Sequence, residues 1–350
     1  LAAGSQSLFG SSVTQNLGLS LATSRFRKKI STAAAAIILS HLSFIFPAAQ
    51  SVMAAGPAPK QSTQTKILTF PDVPVAVLEA WRLATNGTGP ALRVRDKILL
   101  RGKVELPVSG AYNLTLKYDG LEHLESLAQL APGQVVQFGA SSLDLDDKQF
   151  AFFKRFPGIT RINLDSTMIT DKSMPVFATF RNLSDLRLSK VDITGAGFEN
   201  LVGLPIYTLN LEGSNLKAGN LQKITTLPNT LQSINCTRTG VSNADIAFLG
   251  KCTKLTCIDL SGDKQITNDC VKDIVKLKNL DTLLILDTSI TDVSLPALAK
   301  MPHLKRMVVR ARTFWKTGTG KSPRPSLLIE DGASASRTPV DVFGPLHPNW

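Results

Sequence analysis

The chain repeats itself. Nine times between residues 111 and 304 an apolar residue is followed by others three and five places on, then by a small polar residue and an Ile-Thr pair or its equivalent. The openings fall at Ala111, Val135, Ile159, Leu183, Ile206, Leu231, Leu255, Leu280 and Leu304, in steps of 24, 24, 24, 23, 25, 24, 25 and 24 residues. A period this steady predicts a solenoid, in which each unit buries its apolar face against its neighbours. Stacked units of this kind present a long continuous surface and not a closed pocket.

Each unit has two halves. In the copy that opens at Leu280, Leu280, Leu283 and Ile285 alternate with Asp281, Thr282 and Leu284, the period of a strand with one buried face. The ninth place holds Asp119, Thr167, Ser214, Thr239, Asp263 and Thr288 in successive units, with Leu143 and Val191 as exceptions. A small hydrogen-bonding side chain there is expected to satisfy backbone groups where the chain leaves the sheet. Asp171, Asn243, Asn268 and Asp292 then stand where a helix cap is expected. Beyond them apolar residues step by three, as in Phe150, Phe153, Phe156 and Met174, Phe177, Phe180, which predicts a short helix with one buried stripe.

These units resemble the leucine-rich repeat family. The matching text is Leu255-Thr256-Cys257-Ile258-Asp259-Leu260 with Ile266-Thr267-Asn268, and Leu280-Asp281-Thr282-Leu283-Leu284-Ile285 with Thr288-Ser289-Ile290-Thr291-Asp292. Cys252 before Leu255 is similar to the cysteine-containing subclass; Thr167, Thr239 and Thr288 followed by Ile-Thr or Val-Ser are similar to repeats of bacterial exported proteins. The resemblance implies an α/β fold, a right-handed horseshoe solenoid with a parallel sheet on its concave face and short helices on its convex face. It implies protein interaction as the general role.

Around the repeats, residues 1–55 read as an export signal or membrane anchor with an N-terminal extension. Arg25, Arg27, Lys28 and Lys29 precede an apolar run from Ala33 to Phe46, and Val52, Ala54 and Ala55 supply the small residues of a cleavage site. An uncleaved anchor over residues 30–55 is the alternative, because that stretch is long enough to span a bilayer. Residues 56–65 read as a linker, 66–110 as an N-terminal cap or small module, 111–308 as the repeat domain, and 309–350 as a basic, Pro/Gly/Ser-rich tail. Within 66–110 the pattern predicts a helix from Val73 to Ala84 and a hairpin turning at Arg101-Gly102-Lys103. The export reading places the protein outside the cell or in the envelope.

Little in the chain points to catalysis. Gly318-Thr319-Gly320-Lys321-Ser322 mimics a phosphate loop, but Trp315 stands where the first glycine belongs, and Pro323 and Pro325 oppose the helix that must follow. Serine-nucleophile and zinc-hydrolase signatures do not appear. Asp144, Asp146 and Asp147 read as turn carboxylates before they read as a calcium site. No cofactor is implied. Cys236, Cys252 and Cys270 occupy apolar slots and are expected to pack as small hydrophobes; Cys257, at an outward strand position, is expected to be the reactive thiol. Asn86, Asn113, Asn182 and Asn235 fit the glycosylation acceptor pattern.

What remains is surface. Arg161, Asn163, Arg187, Asn210, Asn235 and Asp259 fall at outward strand positions and are the expected contacts for a protein or glycan partner. The formal charge is +12, and Lys305, Arg306, Arg310 and Arg312 concentrate part of it near the end of the array, where an anionic surface or polymer is the expected partner. No aromatic interleaving accompanies these charges to suggest nucleic acid. The reading is an exported, non-catalytic interaction scaffold. Two alternatives stay open: an intracellular ubiquitin-ligase-type adaptor, with Val73 to Ala84 as its recruiting helix, and an envelope-associated binder of anionic polymer.

Overall fold

The computed structural model describes residues 65–82, 92–310 and 326–331. They belong to the second of two units into which the chain divides, residues 1–62 and 63–350. The export segment, the Gly318–Ser322 motif, Asn86 and Arg312 lie outside the described residues.

The strands are β1 (Thr65–Thr69), β2 (Ala76–Arg82), β3 (Leu92–Leu100), β4 (Lys103–Pro107), β5 (Tyr112–Leu116), β6 (Val135–Gly139) and β7 (Arg161–Asn163). They continue with β8 (Asp185–Arg187), β9 (Thr208–Asn210), β10 (Ser233–Asn235), β11 (Cys257–Asp259), β12 (Thr282–Leu284), β13 (Arg306–Val309) and β14 (Leu328–Asp331). Twelve of them make one sheet in the order β14-β13-β12-β11-β10-β9-β8-β7-β6-β5-β2-β3. From β5 to β14 every neighbouring pair is parallel. Parallel neighbours need a crossover in every unit, and a 24-residue period leaves room for one.

Each crossover is short. It is built from single turns of 310 and α-helix, and the longest α-helix among the described residues is Asn243–Leu249. The apolar step of three suits this wall, because a 310 turn holds three residues and repeats one face at i, i+3. Phe150, Phe153, Phe156, Phe177 and Phe180 are fully buried from that side. Phe138 of β6 meets them, with its ring centroid 3.8 Å from that of Phe153. From the sheet side come Ile162, Leu164, Leu186, Leu188, Leu209 and Leu211, all at 0–1% exposure, so one core runs unbroken through the stack.

The strands are held to one another beyond their own three residues. Leu164 N–H donates to Arg187 O at 3.0 Å, Leu188 to Asn210 O at 2.8 Å and Leu211 to Asn235 O at 2.9 Å, extending the ladder by a residue. The chain then turns through a left-handed residue in seven successive units: Ser142, Ser166, Lys190, Gly213, Arg238, Gly262 and Asp287. Only two of these are glycine. At Gly262 the requirement is strict, since φ is +86° and a Cβ would come 2.4 Å from Arg238 Cγ.

The ninth-place threonines behave as the sequence predicts. Thr167, Thr239 and Thr288 donate their hydroxyls to Leu164 O, Cys236 O and Ile285 O at 2.7, 2.8 and 2.9 Å. The residues expected to cap helices do something else. Thr170 and Thr267 are the caps, and the side chain one place on reaches the neighbouring unit. Asp171 accepts from Thr194 N–H at 3.1 Å and Thr194 Oγ1 at 2.7 Å, and Asn268 accepts from Thr291 N–H at 2.9 Å. Asp147 likewise receives Thr170 N–H at 2.9 Å and Thr170 Oγ1 at 2.7 Å. The second and third Asp of the Asp144–Asp147 cluster are thus a helix cap and an inter-unit brace.

Before the repeats the structure departs from expectation. Residues 76–82 are strand β2, not a helix: β2 lies antiparallel between β3 and β5 and buries Ala76 and Leu78. β-Branched Val75 and Val77 suit that state, and sheet pairing overrides the helical spacing. The turn at Arg101-Gly102-Lys103 exists, but the strands on either side part: β3 stays with β2, while β4 pairs with β1 in a separate two-stranded sheet. The apolar residues of this region, among them Val75, Leu78, Leu100 and Leu106, join the core of the repeats. The contact is close, since a Cβ on Gly120 would meet Val75 O at 2.1 Å. At the other end β14 adds a strand inside the expected tail, in register with β13 from Arg306↔Leu328 to Val309↔Asp331.

Candidate functional site: the outward face of the sheet

Strand alternation sends every second side chain away from the helical wall. Because all neighbours pair without slippage from β6 onward, these side chains line up in two rows that cross the strands. One row runs Asn113, Gln137, Arg161, Asp185, Thr208, Ser233, Cys257, Thr282, Arg306. The other runs Asn163, Arg187, Asn210, Asn235, Asp259, Leu284, Val308.

The second row is largely occupied with the fold. Asn163 Oδ1 accepts from Asp165 N–H at 3.0 Å, Asn210 Oδ1 from Glu212 N–H at 3.1 Å, Asn235 Oδ1 from Thr237 N–H at 2.8 Å and Asp259 Oδ1 from Ser261 N–H at 2.9 Å. Each is a side chain closing a turn two residues ahead of itself, a property of Asn and Asp. It steers the chain toward the left-handed residue one place further on. Asn163, Asn235 and Asp259 are buried, at 6%, 3% and 0% exposure, which corrects their reading as partner contacts: they lock turns. Burial also closes Asn113 and Asn235 to glycosylation in the folded chain, whereas Asn182 is exposed. Burial pushes the Asp259 carboxyl up, against the lowering pull of Ser261 and Thr237.

Cys257 is corrected as well. Its thiol is pushed up to about 12, by burial first and by the Asp259 charge second, so it is inert and not reactive at neutral pH. It packs with Leu284 and Val308 in a small apolar cluster on the outward face, with half-buried Leu286 beside it. Cys236, Cys252 and Cys270 are buried and free, as their apolar slots predict.

The basic end is neutralised by its own neighbours. Lys305 Nζ lies 2.8 Å from Asp281 Oδ2; Arg306 makes a two-pronged contact to Glu330, 3.1 Å from Nε to Oε1 and 2.7 Å from Nη2 to Oε2. Arg310 grips Asp287 in the same way, with Nη2 2.8 Å from Oδ2. Glu330 comes from β14, which the sequence reading assigned to a tail. Three of the four residues expected to receive an anionic partner are thus already paired with carboxylates.

At the other end the polar groups are not so matched. Arg161 reaches across β8 and donates from Nη2 to the Tyr207 hydroxyl at 3.2 Å. Arg187 Nε stands 3.8 Å from Asp185 Oδ1, and its buried Nη2 has no hydrogen-bond partner. The amide oxygens of Asn113 and Gln137 are also buried and unpartnered. Burial holds the Asp185 carboxyl above its ordinary range; the charges of Arg187 and Arg161 offset this in part.

Parallel three-residue strands in register, aliphatic residues at the same inward positions of each unit, and a wall of single helical turns closing every crossover are now all in view. The fold is a leucine-rich repeat solenoid. No family model matches the chain, and no curated protein sequence matches it. Among solved structures, internalin C2 from Listeria monocytogenes is similar at 17% identity over 59% of this chain and 82% of that one, with a TM-score of 0.42. A leucine-rich repeat domain of APL1B is similar at 14% identity over 53% of this chain and 52% of that one, with a TM-score of 0.36. The leucine-rich repeat assignment rests on the geometry of the units themselves. Among the described residues no cluster of His, Cys, Asp and Glu is arranged to hold a metal ion, and no helix is long and apolar enough to cross a membrane.

Proposed function

We propose that this chain is an exported, non-catalytic interaction scaffold that binds a protein partner on the outward face of its sheet. The observation that supports the reading is the contrast along that face. At β12–β14 the face carries Leu284, Val308 and cations paired with carboxylates, whereas across β5–β11 Asn113 Oδ1, Gln137 Oε1, Arg187 Nη2, Ser233 Oγ and Asp259 Oδ2 are buried with no hydrogen-bond partner. An unsatisfied buried polar atom costs about 1–3 kcal/mol. Groups of this kind therefore favour a partner that completes them.

The two alternatives lose their footing. A binder of anionic polymer needs free cations, and Lys305, Arg306 and Arg310 are engaged in ion pairs. A ligase adaptor was to recruit through a helix at residues 73–84, where the chain forms β2 instead. Export rests on the sequence of residues 25–55 alone.

Photocrosslinking tests the location of the site. A benzophenone amino acid placed at Ser233 or Arg161 on the outward face is expected to trap a partner of defined mass. The same group at Lys251 or Lys300, exposed on the helical side, is expected to trap none. Equal trapping from both sides would remove the outward face from the account.

A further inference from the structure

We propose that the crossovers leading into β11, β12 and β13 dock on an anionic lipid surface through Lys251, Lys254, Lys278 and Lys300. This surface lies on the helical side, away from the face assigned to a protein partner. Lys251, Lys276 and Lys300 hold one place in three successive units, six residues before Cys257, Thr282 and Arg306, which pair in register. Each lysine N–H closes the same turn, donating to Phe248 O at 3.0 Å, Asp273 O at 3.1 Å and Ala297 O at 3.2 Å. Neighbouring strands stand about 4.8 Å apart, so the register sets these lysines in a row and the turns fix it. Lys254 and Lys278 extend the row toward the strands, where Asn279 Nδ2 ties one turn to the next by donating to Thr253 O at 2.7 Å.

These charges are exposed and unmatched. The ammonium groups of Lys251, Lys254 and Lys300 have no partner among the described residues, and Lys278 reaches only Val275 O at 3.4 Å. The acids of the same segments do not compensate them. Asp245 and Asp292 are buried, Asp273 and Asp281 are taken by Lys276 and Lys305, and Asp269 is the one left exposed. Earlier units differ: Arg155, at the place of Lys251, pairs with Glu125 and lies over the Phe152 ring, and Thr179, Val202 and Leu227 follow it at that place. Two features favour lipid over a soluble polyanion. The free cations are all lysines, point charges on flexible stems that can follow mobile headgroups, whereas shaped recognition of phosphate or carboxylate favours the arginine fork. Val293, 66% exposed, stands with exposed Pro296 and Ala297 on a stripe that ends at Lys300, an apolar strip placed to enter the headgroup layer.

The experiment measures partitioning of the full chain onto vesicles of phosphatidylcholine alone and of phosphatidylcholine with an equal part of phosphatidylglycerol. The anionic vesicles should be preferred at least tenfold at 0.1 M salt. Most of that preference should vanish at 1 M, where the screening length falls from about 10 Å to about 3 Å. Lys251→Glu, Lys254→Glu, Lys278→Glu and Lys300→Glu together, with an unchanged circular dichroism spectrum, should weaken anionic binding at least tenfold. The milder pair Lys251→Gln and Lys300→Gln should weaken it at least threefold. The same charge change at exposed Lys66, Lys117, Lys217 and Lys264 should move it less than threefold. Residues 25–55 are the same in every variant, so any affinity of their own for lipid cancels. Equal loss in the two fourfold variants, no loss in the milder pair, or binding indifferent to phosphatidylglycerol would overturn the proposal. Val293→Asp should cost at least threefold on anionic vesicles. Binding at parental strength by that variant, or displacement of the parent by soluble polyphosphate at equal phosphate concentration, would also overturn it and assign the lysines to a polymer.

Discussion

Asp259→Asn should stabilise the protein, and only above the acid range. Asp259 holds the position that Asn163, Asn210 and Asn235 hold in earlier units, and it makes the same bond to the backbone two residues on. An asparagine is close to isosteric and keeps that bond through Oδ1. What it removes is a carboxylate at 0% exposure. The desolvation penalty of a buried ion is several kcal/mol even after relaxation, while a charged acceptor gains about 1 kcal/mol over a neutral one in its hydrogen bond. The difference leaves a net gain of about 1–3 kcal/mol at neutral pH, or several degrees in Tm for a domain of this size. The pH dependence has a definite sign. Burial raises the folded-state value of Asp259 above its unfolded value, so its favourable contribution is complete below the unfolded value near 3.9 and is lost as pH rises through the folded one. Urea unfolding of the two proteins at pH 7.5 and again near pH 4 should therefore show the variant ahead at the higher pH and the gap closing at the lower. A variant less stable than the parent at pH 7.5, or a gap that does not change with pH, would refute the reasoning.

Four further outcomes follow from the same contacts. Gly262→Ala should lose about 1–2 kcal/mol, because an alanine must hold a left-handed backbone and its Cβ meets Arg238 Cγ at 2.4 Å; chemical unfolding checks it. Phe150→Ala, deleting a fully buried ring 5.0 Å from that of Phe177, should cost about 3–5 kcal/mol in the same assay. Asp147 behaves oppositely to Asp259. Burial raises its carboxyl but bonds from Ser173 and Thr170 outweigh this and lower it, so its stabilisation is present above the unfolded value and lost as pH falls through the folded one. Asp147→Ala should cost about 1–2 kcal/mol at pH 7, read by thermal melting, and progressively less in acid. Ellman's reagent at pH 8 should find no reactive thiol among Cys236, Cys252, Cys257 and Cys270 in the native protein, and all four after denaturation.

The sequence carried the repeat far better than the site. Inward aliphatic positions, the helical stripe of three-step apolar residues and the ninth-place hydroxyls are periodic, and each period maps onto one structural role. Cys257, Asn235 and Asp259 were misjudged for a common reason: alternation says which way a strand side chain points, but not whether its neighbours across the strands cover it. The turn lock leaves its own mark in the sequence: Asn163, Asn210, Asn235 and Asp259 align, and glycine stands three residues on at Gly213 and Gly262. Strand β2 was missed because Val73 to Ala84 lies outside the periodic region, where only local spacing was available and sheet pairing overrode it. The pairing of Arg306 with Glu330 was beyond reach for a different reason: β14 follows a Pro- and Gly-rich stretch that conceals the return of the chain to the sheet.

The central claim is that binding energy sits on the outward face of the sheet. The most direct test is the affinity for an identified partner of the double variant Arg161→Ala, Arg187→Ala. The account predicts at least a tenfold loss, about 1.4 kcal/mol, with the repeat array still folded by circular dichroism. Unaltered affinity would contradict it.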